Sequence, residues 1–165
     1  MLHKHRSSLD IFICLGTVVS VVFFDRLTKV FFSAVLQIGE SLPVIKHAFH
    51  FTLVHNNGIA FGLFKDNGFV FLIIPAIAVF LLIYNVYYYH KFGELDWVYI
   101  VAFSLILGGA IGNLIDRITF GHVIDFIDFR IWPTFNVADS AITIGVIIIA
   151  HRLVGSATAD KNQDG

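Results

Sequence analysis

Charge is what this sequence has least of. Only 14% of its 165 residues are Asp, Glu, Lys or Arg, whereas a soluble domain of this size usually carries about 25%. The net charge of −1 provides no basic surface for nucleic acid. The single cysteine, Cys14, excludes an internal disulfide. A soluble, a nucleic-acid-binding and a disulfide-stabilised protein are therefore not expected.

The sequence motifs of several common enzyme classes are also missing. There is no HExxH zinc motif, and the eight histidines are scattered along the chain. There is no GxSxG nucleophile elbow, and neither Ser104 nor Ser140 has a histidine or lysine at helical spacing. We therefore predict no metal, no cofactor and no serine mechanism.

Long apolar runs are what the sequence has most of. Hydrophobic residues make up 57% of the chain, and four apolar blocks cover about 11–32, 69–89, 97–115 and 137–154. Each block approaches the ~20 residues that a helix needs to cross ~30 Å of hydrocarbon. In lipid the backbone must satisfy its own hydrogen bonds, which for runs of this length requires helices. The sequence predicts a single α-helical membrane domain, residues 1–165, with four transmembrane helices.

The orientation of these spans follows from their even number and from the flanking charges. Four spans put both termini on one side, and Lys4 and Arg6 before the first span favour the cytoplasm. Over the whole chain the basic residues are evenly divided, with Lys4, Arg6, Lys91, Arg152 and Lys161 on that side, Lys29, Lys46, Lys65, Arg117 and Arg130 on or near the other, and Arg26 within the first span. The two longest connections, 33–68 and 116–136, then lie together on the opposite side.

Both of these connections have a composition that predicts structure. In the first, the β-branched and aromatic residues of HFTLVHN predict short strands that turn at Asn57-Gly58. In 116–136, the aromatic residues and Pro133 predict a membrane-surface segment.

Polar side chains gather at the same ends of three spans, which is costly in a membrane. A charged group at membrane depth costs at least ~2.5–3.5 kcal/mol on insertion scales, so it is expected to pair, line a cavity or function. The residues are Asp25, Thr28 and Lys29 in the first span, Asn113, Asp116 and Arg117 in the third, and Asn136, Asp139, Ser140 and Thr143 in the fourth.

Some of these residues have a structural interpretation. Asp25 and Lys29 have the i,i+4 spacing of an ion pair. Gly108 and Gly112 form a small-residue face for close helix packing, next to which Asn113 would bridge helices. We therefore favour support over direct chemistry for these positions.

Asp139 has both a structural and a chemical interpretation. It follows Asn136 by three residues, as the acid of a helix N-terminal cap does. However, HVIDFIDF also places Asp125 and Asp128 among apolar residues, which raises the pKa of an acid. Two carboxylates brought together share a proton and can activate a water between them, which is aspartic protease chemistry. Spacing alone leaves the choice between Asp125 and Asp128 open.

Two other classes of function are compatible with the same residues. A proton-coupled carrier would use Asp25 or Asp139 as its relay, and a structural membrane assembly factor would need only the ion pairs. Carriers are distinguished by uptake driven by an ion gradient, and proteases by product release.

Five motifs in fixed order resemble those of the lipoprotein signal peptidase (signal peptidase II) family. They are DRLTK (25–29), NNGIAFG (56–62), GNLIDR (112–117), GHVIDF (121–126) and FNVADSAI (135–142). One position departs from the family pattern, which has two alanines after the glycine, because Ile59 precedes Ala60 here. This change alters a wall of the pocket and removes no reactive group.

The resemblance implies an intramembrane aspartic endopeptidase of the bacterial inner membrane. It would remove the signal peptide from a prolipoprotein that carries diacylglycerol on its cysteine, cutting before that cysteine at the outer, periplasmic face. The family's two catalytic aspartates correspond to Asp125 and Asp139, which demotes Asp128. Its support positions correspond to Asp25, Lys29, Asn56, Gly58, Asn113, Asp116, Arg117, Asn136 and Ala138.

The resemblance also implies partners. These are the lipid-modified prolipoprotein, membrane lipid and globomycin, a peptide antibiotic that inhibits the family, and we assume a monomer. Loop 33–68 corresponds to the family's extramembrane cradle over the site.

Overall fold

The protein is mostly helical, with a small antiparallel sheet. The computed structural model describes residues 2–57, 77, 80, 84 and 96–161, without the side chains of 2–7, 153 and 155–161. Within these residues the elements are α1 (Leu2–Val35), β1 (Ser41–Ile45), β2 (Phe49–Asn56), α2 (Trp97–Phe120), β3 (Val123–Asp128) and α3 (Val137–Lys161).

Two of the described helices are long and apolar enough to cross a membrane. These are Ser8–Val35 within α1 and the whole of α2, with mean hydropathies of 1.9 and 2.1. Both extend beyond the apolar blocks that predicted them, since α1 begins at Leu2 and α2 continues to Phe120. The predicted second span, 69–89, lies outside the described residues except for positions 77, 80 and 84, which are helical.

Glycines allow α2 to pack closely against both α1 and α3. A methyl group on Gly108 would lie 2.9 Å from Val21 Cβ in α1, as the predicted small-residue face requires. On the other side of α2, a methyl group on Gly109 would lie 2.3 Å from the carbonyl oxygen of Ala138. These contacts leave no room for a larger residue, so they fix the separation of the three helices.

The sheet has the order β1-β2-β3, and all of its pairings are antiparallel. Strands were predicted in 33–68, and β1 and β2 confirm them. The β1–β2 hairpin turns at 46–48, where His47 adopts a positive φ of 66°. The turn at Asn57-Gly58 stays a prediction. Asn57 follows the end of β2, and Gly58 lies outside the described residues.

The third strand was not predicted. Gly121 ends α2 in the left-handed conformation, with φ 78°, and donates its N–H to the carbonyl oxygen of Arg117. The chain then enters β3, which is buried along most of its length instead of lying on a surface. Its pairing with β2 is a contact between distant parts of the chain, so local composition did not reveal it.

An aromatic core attaches the sheet to the end of α1. Phe32 packs between two strands, with ring centroids 4.4 Å from both Phe51 and Phe126. Leu36, Leu53 and Ile124 complete this buried cluster. The core holds β3 beside the ends of the helices, where the predicted polar residues lie.

Candidate active site

A closed ion cluster forms where α1 meets α2, and it consists of Asp25, Arg26, Lys29 and Asp116. The Lys29 ammonium lies 2.9 Å from Asp25 Oδ2 and 2.7 Å from Asp116 Oδ2, and all three side chains are fully buried. Arg26 also pairs with Asp116. Two acids are therefore matched by two cations, and the predicted ion pair between Asp25 and Lys29 is confirmed.

Arg26 was not among the predicted site residues. A count of charges would have indicated it, because two acids buried with Lys29 alone would leave one negative charge without a counterion. Arg26 directly follows Asp25 in the sequence and supplies that second cation.

The ion cluster also holds the two elements that carry the predicted catalytic acids. Asp25 Oδ1 accepts the backbone N–H of Ala138, 3.1 Å away, at the start of α3. Asp116 Oδ2 accepts the backbone N–H of Ile124, 3.2 Å away, in β3. The residues that follow Ala138 and Ile124 in the sequence are the two acids predicted to be catalytic.

Lys29 determines the orientation of the Asn113 amide. Its ammonium donates to Asn113 Oδ1 over 3.0 Å, and an ammonium can only donate, so the amide oxygen must face it. The amide nitrogen of Asn113 therefore faces the other way and donates to Asp139 Oδ1 over 2.7 Å. The buried Lys29 ammonium thus orients the Asn113 amide so that its neutral N–H donates to Asp139.

Asn136 contacts both predicted catalytic acids. Its Oδ1 accepts the backbone N–H of Asp139 (2.9 Å), and Asp139 Oδ2 accepts the backbone N–H of Asn136 (3.3 Å). This reciprocal pair confirms the predicted helix cap. Because the amide oxygen faces that N–H, the amide nitrogen faces Asp125 and donates to its Oδ1 over 2.7 Å. The same side chain therefore caps α3 and hydrogen-bonds to Asp125 on β3.

Asp125 is buried on β3 among neutral donors. Besides Asn136, Asn56 donates to its Oδ2 over 2.9 Å. Burial raises the pKa of Asp125, the hydrogen bonds from Asn56 and Asn136 lower it, and the nearby charge of Asp139 raises it further, to about 6. This carboxyl therefore holds a proton more readily than an ordinary aspartate does.

Asp128, three residues further along the same strand, has opposite surroundings. It accepts a hydrogen bond from Thr52 (2.7 Å) and pairs with the Arg130 guanidinium at 2.9 Å. Burial raises the pKa of Asp128, but these hydrogen bonds and the charge of Arg130 outweigh it and hold the pKa below its ordinary value. Asp128 is thus held as an ionised, structural acid.

The remaining predicted residues lie around the two acids. Arg117 is half-buried, donates to the carbonyl oxygen of Asn113 over 3.4 Å, and its charge interacts with those of Asp139 and Asp125. Ala138 is fully buried and contributes its backbone N–H. Gly58 lies outside the described residues.

Asp139 opens onto a cavity of about 420 Å³ between α3 and the chain that precedes it. The cavity wall is mainly apolar and consists of Trp132, Phe135, Asp139, Ser140, Thr143 and Ile144. Among the described residues, no group of three His, Cys, Asp or Glu side chains is arranged to hold a metal ion. Of the described residues that line the cavity, Asp139 is the ionisable one.

The fold and the site together define a helical protein with segments that can span a membrane and two amide-held carboxylates, one on β3 and one in the first turn of α3. Comparison with known proteins agrees with this class. The model of the family described as Signal peptidase (SPase) II matches residues 10–154.

Similar proteins include three that carry the name lipoprotein signal peptidase. The one from Caldanaerobacter subterraneus is 44% identical over 135 residues, which cover 81% of this chain and 90% of that protein. The one from Halothermothrix orenii is 41% identical over 132 residues, covering 80% and 88%. The one from Staphylococcus aureus is 41% identical over 150 residues, covering 88% and 90%.

Solved structures support the same relationship. A chain described as a bacterial membrane enzyme superposes with a TM-score of 0.78 at 39% identity, covering 88% of this chain and 90% of that one. The chain therefore belongs to the signal peptidase II family of proteases, as the five motifs predicted.

Proposed function

We propose that this protein is an intramembrane aspartic endopeptidase that removes the signal peptide from diacylglyceryl-modified prolipoproteins, cutting before the lipidated cysteine. Asp125 and Asp139, hereafter the acid pair, carry the reaction. The observation that supports this most strongly is that Asn136 hydrogen-bonds to both residues. Family membership supplies the substrate class.

In the proposed reaction Asp139 is the general base. It lies in the first turn of α3, where the helix dipole favours a negative charge, and it accepts hydrogen bonds from Asn113 and from the backbone of Asn136. The raised pKa of Asp125 makes it the acid that holds the shared proton. The pair titrates as a unit, so these roles describe its dominant protonation state.

The proton transfers balance over two steps. A water between the acid pair gives a proton to Asp139 as its oxygen bonds to the scissile carbonyl carbon, and Asp125 protonates the carbonyl oxygen. In the second step the carbon–nitrogen bond breaks, Asp139 protonates the leaving amine, and Asp125 recovers its proton from a hydroxyl of the intermediate. Both acids end in their starting states.

The contacts of the other predicted site residues support the roles that we propose for them. Asn56, Asn113 and Asn136 supply neutral donors that hold the acid pair without neutralising it. Asp25, Lys29 and Asp116 fix the elements that carry the pair, together with the Ala138 N–H. Arg117 contributes a positive charge near the pair, and Gly58 is proposed from the family motif alone.

The test is turnover by carboxylate-to-amide variants. Purified protein is incubated with a diacylglyceryl-modified prolipoprotein, and release of the signal peptide is followed on a gel. Asp125→Asn and Asp139→Asn should each lower the rate at least about 10³-fold, because each removes a proton-transfer group. Asp128→Asn is the matched control on the same strand and should retain turnover.

Near-normal turnover by either acid-pair variant would contradict the mechanism. Globomycin should inhibit the parent protein, and indifference to it would argue against the proposed substrate site. Uptake driven by an ion gradient, with no peptide release, would instead indicate a carrier.

We further propose a single membrane domain, residues 1–165, that works as a monomer. It would have four spans in the bacterial inner membrane, both termini in the cytoplasm and the acid pair at the periplasmic face. A cysteine-labelling experiment tests this orientation, since Cys14 is the only native cysteine. In a Cys14→Ser background, Lys46→Cys should react with an impermeant maleimide in spheroplasts, whereas Lys161→Cys should react only after lysis. The reverse pattern would overturn the topology.

A further inference from the structure

The segment between β3 and α3 presents two large apolar side chains to its surroundings. Ile131 is 93% exposed and Trp132 is 70% exposed, and these two residues are called the tip below. Apolar surface left in water forfeits roughly 25 cal/mol per Å² relative to burial. Two such side chains side by side therefore favour an apolar partner.

The tip is held out by a well-bonded loop. The Arg130 N–H donates to Asp128 Oδ1 over 2.8 Å, and the Arg130 guanidinium pairs with Asp128 Oδ2. Further along, Phe135 exchanges backbone hydrogen bonds with Ile127 over 2.8 and 3.1 Å. Because both sides of the loop are fixed to β3, the exposure of the tip is a property of the fold.

The exposed side chains of α3, which follows the tip in the chain, indicate what kind of partner the tip contacts. The loop leads directly into α3, where Ile144 and Ile147 are 51% and 61% exposed on the outer surface of the helix. Exposed apolar side chains are thus found both at the tip and along α3, the helix that follows it. Tryptophan, with an apolar ring and one N–H donor, is enriched where acyl chains meet headgroups.

We propose that the tip is inserted into the boundary between headgroups and acyl chains of the bilayer that holds α1 and α2. Trp132 also lines the cavity onto which Asp139 opens. Lipid contact at the tip therefore fixes the outer wall of this cavity. If the proposed function holds, a lipid-modified substrate reaches the acid pair from the bilayer past Trp132.

Tryptophan fluorescence tests the insertion without any assay of activity. The chain has two tryptophans, so Trp97→Phe leaves Trp132 as the only one, and Trp132→Phe leaves Trp97. Both variants are reconstituted into vesicles of phosphatidylcholine and phosphatidylglycerol. Emission is then quenched with iodide in the water, or with lipids carrying a nitroxide near the glycerol end or near the methyl end of the acyl chain.

Trp132 should be quenched most by the nitroxide near the glycerol end and only weakly by iodide. The lipid quenching should be similar to that of Trp97, which is 63% exposed at the first residue of α2. Adding Ile131→Asp to the Trp97→Phe variant should lower lipid quenching about twofold or more, because a charge at this depth is disfavoured.

Two outcomes would overturn the proposal. Strong iodide quenching with no effect of either nitroxide would place the tip in water. Protection from all three quenchers would show that a second copy of the chain or another protein covers it. Failure of the proposed protease function is a separate result, since it would leave the quenching pattern unchanged.

Discussion

The ion cluster and the acid pair lie side by side and contain two acids each, but the side chains that contact these acids differ in charge. In the ion cluster, Asp25 and Asp116 are matched by Arg26 and Lys29 at contact distance. Among the described residues, the acid pair has amides as its hydrogen-bonding neighbours and no ion pair to a lysine or arginine.

This difference supports the proposal that the ion cluster stabilises the structure and the acid pair carries the reaction. A lysine or arginine in contact with a buried carboxylate offsets its charge and fixes its position, so the two act as a structural unit. An amide donor fixes the position of a carboxylate while leaving its negative charge without a counterion. Two such acids in one place reduce their mutual repulsion by sharing a proton.

Removing the central cation of the ion cluster should have the largest effect on stability. Lys29→Met leaves Asp25 and Asp116 buried with Arg26 as their remaining cation. Breaking a buried pair in this way costs about 3–5 kcal/mol of the free energy of unfolding. Denaturant titration in detergent micelles measures the loss.

The matched control for Lys29→Met is Arg152→Met. It breaks an exposed pair with Asp96, 2.6 Å long, far from the site, and should cost no more than about 1 kcal/mol. Equal losses in the two variants would mean that the ion cluster is not a structural centre.

Removing an amide donor from the acid pair should lower the rate more than the stability. Asn136→Ser keeps a residue that caps helices well, but it removes the N–H that Asp125 accepts. A hydrogen bond to a charged group contributes about 1.5–3 kcal/mol, so kcat should fall roughly 10–100-fold.

Peptide release and denaturant titration on the same Asn136→Ser preparation separate the two effects. An unchanged kcat would mean that the acid pair does not depend on its amide neighbours. A loss of stability as large as that of Lys29→Met would make Asn136 a part of the structural site instead.

Adding a methyl group beside the ion cluster should have an intermediate effect on the free energy of unfolding. A methyl group on Gly112 would lie 2.7 Å from Asp25 Oδ2, which is already held by Lys29. Gly112→Ala should therefore cost about 1–3 kcal/mol, as overpacking does elsewhere.

Gly16→Ala is the control for Gly112→Ala, because nothing lies within 4 Å of a methyl group there. Alanine is the better helix former by up to about 1 kcal/mol, so this variant should be neutral or slightly more stable. A Gly112→Ala protein as stable as Gly16→Ala would show that the ion cluster can shift at no cost.

The smallest predicted effect concerns the pH dependence of the free energy of unfolding, to which Asp125 and Asp128 on β3 should contribute with opposite signs. The pKa of Asp125 is raised from 3.8 to about 6 in the folded protein, so its favourable contribution is present below pH 3.8 and lost as the pH rises through about 6. The pKa of Asp128 is lowered, so its contribution is present above the ordinary value and lost as the pH falls.

As the pH rises from 4 to 8, the parent protein should therefore lose about 2 kcal/mol of stability relative to Asp125→Asn, whereas it should gain stability relative to Asp128→Asn. Unfolding measured across pH 4–8 gives both signs. A pH dependence of the same sign for both substitutions would contradict the different surroundings of Asp125 and Asp128.

Much of the helical architecture could be predicted from the sequence because hydropathy is a local property. The apolar blocks located α1, α2 and α3, and the polar residues at their ends indicated a common site. The boundaries were less accurate, because α1 and α2 extend past their apolar blocks. Helix ends depend on caps such as Gly121, which a hydropathy average does not contain.

The sheet was harder to predict, since pairing joins distant parts of the chain. Val54 pairs with Asp125, and nothing near either residue in the sequence specifies the other. The β1–β2 hairpin turns at 46–48, a stretch without the Asn-Gly pair or the glycines that favour tight turns. The turn at Asn57-Gly58 stays a prediction, because Gly58 lies outside the described residues.

Hydropathy and helical spacing follow from residue order alone, so the sequence was enough to predict several acids at the ends of apolar helices. Which of these acids form ion pairs and which accept hydrogen bonds from amides depends on tertiary contacts. Asp125 and Asp128 are three residues apart in the same apolar run, yet Asp125 contacts Asn56 and Asn136, whereas Asp128 contacts Thr52 and Arg130. The reason is that a carboxylate's protonation depends on charges and donors within a few ångströms, and these come from strands and helices distant in sequence.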